Sequence, residues 1–212
     1  VWTCGEYNDH GQCGLPAGVR MPILISSPHK VAYFAENEVS ILDVQCGQYH
    51  TLFLSQQGSV YGLGLNVSGQ CGLGNEWDPD DHSYDRLYSP RMLDAFQEQR
   101  IVQIQCGERH SYARSRDGRH YLFGFNEEHQ VLLAAQYGEA APSRIRTPFC
   151  INEKVRELTN GGRIAEVYLG QNETYINISE ELLVIGFLRL ETNQCGIMIS
   201  EDLVQLVLTF YE

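Results

Sequence analysis

One pattern returns through the chain at a period of sixty residues. Cys46 and Cys106 stand 60 positions apart, as do Gly64 and Gly124, and each Cys precedes its Gly by 18. A chain with such a period builds its core by stacking copies of one unit, because no single copy can bury its own apolar face. The second copy reads Ser27-Pro28, Cys46-Gly47-Gln48-Tyr49-His50, Gly58 and then 64–74, GLNVSGQCGLG. The third reads Ser89-Pro90, Cys106-Gly107-Glu108-Arg109-His110, Gly118 and Gly124-Phe125-Asn126. A worn fourth copy carries Thr147-Pro148, Leu169-Gly170-Gln171-Asn172-Glu173, Gly186 and Gln194-Cys195-Gly196, and a half copy opens the chain with Cys4-Gly5 and Gly11-Gln12-Cys13-Gly14. The expected organisation is one repeat domain over 1–212, divided at about 1–26 (the half copy, which places Val1 inside a repeat), 27–88, 89–146 and 147–212.

The apolar period inside each copy is two, which predicts strands. Leu42, Val44 and Cys46 alternate with Asp43 and Gln45, and Val102, Ile104 and Cys106 with Gln103 and Gln105. Ala165, Val167 and Leu169 alternate likewise with Glu166 and Tyr168. Second strands are expected over 51–54, 111–114 and 174–178, then a turn at Gln57-Gly58 or Asp117-Gly118, then third strands over 60–63 and 121–123. Three or four short antiparallel strands per copy describe a propeller blade. Asn66 and Gly69 supply the turn chemistry of the 66–70 loop, the Asn by bonding nearby backbone and the Gly by accepting positive φ. His129 and Asn193 stand where Gly69 does, and both residue types visit the left-handed region more readily than most. Pro28, Pro90 and Pro148 are expected to mark the entry to each blade's outer strand.

These motifs resemble the regulator-of-chromosome-condensation repeat family, whose unit looks like Cys-Gly-x-x-His followed by Gly-x-Asn-x-x-Gly-Gln-Leu-Gly. The likeness covers almost the whole chain, with departures at Cys13, Cys71 and Cys195, where the family has Leu, and at 127–131, where the turn motif is lost. What it implies is an all-β propeller of RCC1-like repeats, here about 3.5 to 4 four-stranded blades. The family commonly closes seven, so the chain reads as part of a larger ring; a small ring closed by four blades is the other reading. The motif residues Gly47, His50, Gly64, Asn66, Gly69, Gly107, His110, Gly124 and Asn126 are expected to be structural, although His50 becomes Glu173 in the fourth copy, which removes a donor there.

Net charge is −12, with basic residues scattered. That excludes a nucleic-acid groove or a basic membrane-binding patch and favours a basic protein partner. No apolar run is long enough to span a bilayer. Five of the seven cysteines sit at repeat-equivalent positions, which favours small buried side chains over zinc ligands. A Cys-His nucleophile at Cys46/His50 or Cys106/His110 is disfavoured, because a catalytic pair is unique whereas this one is copied. No catalytic residue, metal or cofactor is expected. The sequons at Asn66, Asn172 and Asn177 are read as unmodified, the Ser/Thr-Pro pairs as repeat features rather than phosphosites, and the chain as intracellular, cytoplasmic or nuclear.

The longest break in the pattern runs over 75–91. Its carboxylates lack the Gly and distal Glu of a calcium loop, whereas aromatics among carboxylates suit a protein contact. Partner contacts are therefore expected at Trp77, Asp78, Asp80, Asp81, Tyr84 and Asp85, with Glu6, Tyr7, Asp9, Glu127 and Glu128 on the neighbouring loops. The tail over 200–212 alternates as a strand would. The function that follows is a non-catalytic interaction scaffold. The resemblance also allows a guanine-nucleotide exchange factor for a small GTPase, or a regulatory module of a larger enzyme such as a ubiquitin ligase. A light-sensing role is disfavoured, because only Trp2 and Trp77 are present.

Overall fold

The computed structural model describes residues 1–5, 8–14, 25–74, 85–127, 131, 142–179, 185–189 and 195–197. Four antiparallel sheets follow one another along the chain. The first pairs β1 (Trp2–Gly5) with β2 (Ile25–Lys30). The second orders β3 (Ile41–Cys46), β4 (His50–Ser55), β5 (Val60–Leu65) and β6 (Arg86–Met92) from inside to outside. The third repeats this with β7 (Ile101–Cys106), β8 (His110–Ser115), β9 (His120–Phe125) and β10 (Arg144–Cys150). The fourth is β11 (Arg163–Leu169), β12 (Thr174–Ser179), β13 (Ile185–Arg189) and β14 (Cys195–Ile197). Each is a propeller blade. The outer strand of one blade carries the Ser/Thr-Pro pair that opens the next sequence copy.

Apolar faces hold the blades together. One cluster joins Leu52 and Leu54 of the second blade, Ile101, Tyr112, Leu122 and Phe123 of the third, and Val167 and Ile176 of the fourth. A second joins Val31 and Phe34, after the first blade, to Phe53, Tyr61 and Leu63 of the second. Each fully buried large side chain contributes roughly 2 kcal/mol, against about 1 kcal/mol net for a hydrogen bond. Stacking therefore supplies the stability, and the polar ties set how the sheets align.

The alternation expected ahead of each Cys-Gly is interrupted at one place in all three innermost strands. Ile101 faces Ser115 and Gln103 faces Arg114, two steps on β7 against one on β8. The same slip falls between Ile41 and Asp43 and between Ile164 and Glu166. Such a bulge reverses the parity of everything before it. Ile101 and Ile104 thus share the buried face, while Val102 and Leu42, expected inside, are exposed at 39% and 63%. The outer strands bulge too. Gly62 faces Arg91 and Gly64 faces Leu87, so residues 88–90 arch away and Pro90 sits where no N–H is needed. Pro28 and Pro148 lie in the equivalent irregularities of β2 and β10. The prolines therefore stand inside the outer strand rather than at its entry.

Short helical turns that the strand period did not suggest follow β2, β6 and β10. They are α1 (Ala32–Glu36), a 3-10 turn (Asp94–Phe96) and α2 (Asn152–Leu158), which bury Phe34, Phe96 and Val155. The break expected over 75–91 is shorter, since from Arg86 the chain is already in β6. The expected tail strand over 200–212, His129 and Asn193 lie outside the described residues.

Candidate interaction surface

The copied motifs converge where blades meet. Gly47 and Gly107 precede their histidines by three positions, and each imidazole folds back over the glycine. A Cβ on Gly47 would stand 2.2 Å from His50 Cε1 and 2.6 Å from the Gly107 carbonyl oxygen; on Gly107 it would stand 2.3 Å from His110 Cε1 and 2.7 Å from the Gly170 oxygen. No side chain fits, so the innermost corners of three blades touch backbone to backbone. Gln48 N–H donates to Glu108 O at 3.0 Å, and Glu108 N–H to Gln171 O at 2.9 Å.

The histidines tie neighbouring blades rather than groups inside one blade. His50 Nε2 lies 2.8 Å from Ser111 Oγ, and the Ser111 hydroxyl donates to Gln70 O at 2.8 Å. The hydroxyl proton is committed to that carbonyl, so His50 is the donor and carries its proton on Nε2. His110 Nε2 lies 3.2 Å from Glu173 O, which can only accept, so it takes the same tautomer. Glu173 thus takes part through its carbonyl although its side chain is not imidazole. Burial drives both histidines toward the neutral form, His50 to a pKa of about 3 and His110 to about 4. The third–fourth seam gains a further clamp: Gln105 Nε2 donates to Val167 O at 2.8 Å, and Leu169 N–H donates to Gln105 Oε1 at 3.2 Å.

The loops after β1, β5 and β9 repeat as closely. The side-chain oxygens of Asn8, Asn66 and Asn126 accept from the N–H groups of Cys13, Cys71 and Val131 at 2.9, 2.9 and 2.8 Å. Asn66 is buried and held this way, so its sequon is structurally occupied. Gly69, at φ +82°, presses on the next blade so closely that a Cβ would lie 2.4 Å from Arg146 Cα; Gly11, at φ +81°, does the same against Tyr88. Thr51 and Ser111 hydroxyls reach back to Gln12 O and Gln70 O. Gly64 and Gly124, at φ +94° and +110°, lie against the backbone of His50 and His110.

The cysteines divide by position. Cys71 is buried with its thiol directed at Leu63 O and Leu65 O, and desolvation pushes its pKa up. Cys106 points at Gln45 O of the preceding blade and is raised for the same reason. Cys13 is buried, but Cys46, expected inside, is exposed: it ends β3, the innermost strand that faces no earlier innermost strand among the described residues. Among the described residues no three His, Cys, Asp or Glu side chains gather as metal ligands. Nor is any helix there long and apolar enough to cross a membrane.

Of the expected contact residues, Asp9 and Glu127 are exposed and follow the buried Asn8 and Asn126 on equivalent loops. Asp85 is half-buried beside β6, its carbonyl accepting from Asn66 N–H at 2.8 Å. These three share the loop face. Glu6, Tyr7, Trp77, Asp78, Asp80, Asp81, Tyr84 and Glu128 lie outside the described residues. Sequence reasoning passed over Arg109, Arg144 and Arg146, because scattered basic residues carry no motif; the fold gathers them at the loop after β5 of the second blade, where it meets the third.

Four-stranded sheets stacked on their neighbours and tied corner to corner define a repeat β-propeller domain. The chain belongs to the family described as regulator of chromosome condensation (RCC1) repeat, whose profile matches residues 1–54 and 57–114, with a second RCC1-repeat profile over 41–70. It is similar to the human probable E3 ubiquitin-protein ligase HERC4, with 36% identity over 81% of this chain and 14% of that protein. It is also similar to the human RCC1-like G exchanging factor-like protein, with 28% identity over 83% of this chain and 36% of that protein. The fold matches the crystal structure of Prp20p from Saccharomyces cerevisiae with a TM-score of 0.60 at 21% identity, over 99% of this chain and 42% of that one. The chain therefore spans about a seventh to about a third of these curated relatives.

Proposed function

We propose that the chain is a non-catalytic protein-interaction scaffold that binds through its loop face. The observation that carries this reading is the use made of the copied Cys-His pairs. The imidazoles are neutral, buried and committed to the next blade, and the Cys106 thiol is held protonated. The Cys106–His110 pair thus offers neither base nor nucleophile, and Cys46, although exposed, has no free base in the committed His50. The binding surface we assign is the loop rim with the exposed Asp9 and Glu127 and the half-buried Asp85, and by sequence position we add Glu6, Tyr7, Glu128, Trp77, Asp78, Asp80, Asp81 and Tyr84 to it. Its carboxylates suit a basic protein surface. We place the protein inside the cell, in cytoplasm or nucleus, as part of a larger propeller completed by further chain or a partner.

Two narrower readings draw on the relatives. One is a guanine-nucleotide exchange factor, supported by likeness to a protein named for G exchange and to Prp20p, whose structure is titled for binding Gsp1p and histones. Exchange needs no covalent chemistry, only tighter binding of a nucleotide-free GTPase than of the loaded one. The other is a regulatory or substrate-binding module of a ligase, supported by the small share of HERC4 that the chain matches. Affinity capture from cell extract, with and without EDTA to strip nucleotide, separates them. A partner set indifferent to EDTA supports a scaffold, a small GTPase retained only after stripping supports exchange, and no retained protein contradicts all of them.

A further inference from the structure

We propose that the seam between the second and third blades is a docking point for an acidic segment of a partner protein, gripped by Arg109, Arg144 and Arg146. Arg144 Nη1 and Arg146 Nη2 both donate to the Val67 carbonyl, at 3.3 and 3.2 Å. Their donor nitrogens are therefore no more than 6.5 Å apart, the sum of those distances. Arg109 reaches the same loop from the third blade, its Nη2 3.3 Å from Ser68 Oγ and its guanidinium 4.4 Å over the Phe125 ring. None of the three has a carboxylate within ion-pair distance among the described residues.

That is unusual in a chain of net charge −12. Like charges held this close repel, and one neutral carbonyl oxygen shared by two guanidiniums leaves most of their donors unspent. A carboxylate placed beside them would relieve the repulsion and accept the planar, two-pronged bonds that arginine makes best. The arrangement is built rather than incidental. Gly69 pins the loop against Arg146, and the ring of Phe125 holds Arg109 in place. In the first seam Arg86 stands where Arg144 does, but Tyr88 and Tyr49 take the places of Arg146 and Arg109, so the full cluster belongs to this seam and not to the repeat. Peptide carboxylates are favoured over free anions because the guanidiniums lie on an open rim, Arg144 exposed and Arg146 half-buried, rather than in an enclosed pocket.

This inference rests on the scaffold reading and adds the chemistry of one partner. It is tested on the purified 212-residue chain by fluorescence anisotropy with a labelled Glu-Gly repeat peptide at low salt. Saturable binding is expected, weakened about tenfold or more by Arg144→Ala with Arg146→Ala, as loss of charge-assisted bonds would do. Arg119→Ala, which removes a guanidinium already paired with Asp117 at 3.1 Å, should leave it unchanged. The single variant Arg144→Ala alters only an exposed side chain and should weaken binding with the melting point kept. Absent binding, equal binding by the double variant, or displacement by inorganic phosphate at concentrations equal to the peptide's would each overturn the proposal. Partner capture through other loops would survive those results, so failure here is distinguishable from failure of the scaffold reading.

Discussion

The seam between the first and second blades and the seam between the second and third share one backbone and differ in chemistry. In both, a glycine at positive φ presses on the next outer strand, an Asn side chain holds the loop, and a Thr or Ser hydroxyl reaches back to the carbonyl of a Gln. On the rim, His10 packs edge-on against Tyr49 with ring centroids 4.9 Å apart in the first seam. In the second, Ser68 meets Arg109 instead, and Arg146 replaces Tyr88 beneath the glycine. What the repeat copies is the joint; what it leaves to vary is the surface beside it. Conserved geometry thus marks stability, and divergence at fixed geometry marks where recognition can be encoded.

The sharpest way to break the joint is to give its glycine a side chain. Gly107→Ala should cost ~3 kcal/mol, since the new methyl meets the His110 ring and the Gly170 carbonyl at once. Gly118→Ala, with nothing within 4 Å of the added carbon, should cost only about 1 kcal/mol for its positive φ. Urea unfolding of the two variants checks this ordering.

Next come the ties. His50→Ala should cost about 2 kcal/mol, and a double-mutant cycle with Ser111→Ala should return a coupling of about 1 kcal/mol. A null coupling would mean that Ser111 holds Gln70 without help from the histidine. Acid should loosen the same joints. Both histidines have folded pKa values below their ordinary 6.5, so on acidification the unfolded chain takes up protons first. Their stabilisation is complete above pH 6.5 and is lost as pH falls toward about 4 and about 3. The slope is about 1.4 kcal/mol per pH unit for each histidine. Unfolding free energies measured between pH 7 and about 4.5, above the main carboxylate range, should fall accordingly, and His50→Gln should flatten the slope by one proton. Smallest in energy is the thiol contrast. Cys4 and Cys46 should react rapidly with a disulfide reagent in the native protein, and Cys71 only after unfolding.

Much of the blade was legible in the residues. The sixty-residue period, the Cys-Gly-x-x-His corner and the Gly-x-Asn loop pointed to stacked sheets, because each motif meets a local steric or hydrogen-bonding demand. The bulges were not legible. A one-residue slip leaves no mark in composition and changes only which neighbours, such as Leu42 and Val44, share a face. The destination of the His50 bond was hidden too, since its partner Ser111 lies 61 positions away, fixed by blade stacking and not by local spacing. The same holds for the arginine cluster, whose members come from one strand and a corner of the third blade and meet on a loop of the second.

The measurement that bears most directly on the separation of joint from rim is partner capture by paired variants, with melting temperature read in parallel. Asp9→Lys with Glu127→Lys alters two exposed rim residues, and His50→Gln alters a buried tie. The rim variant is expected to lose partners with its melting point unchanged, while the tie variant melts earlier and still captures them at temperatures where it remains folded. A rim variant that retains every partner, or a folded tie variant that loses them, would contradict that separation.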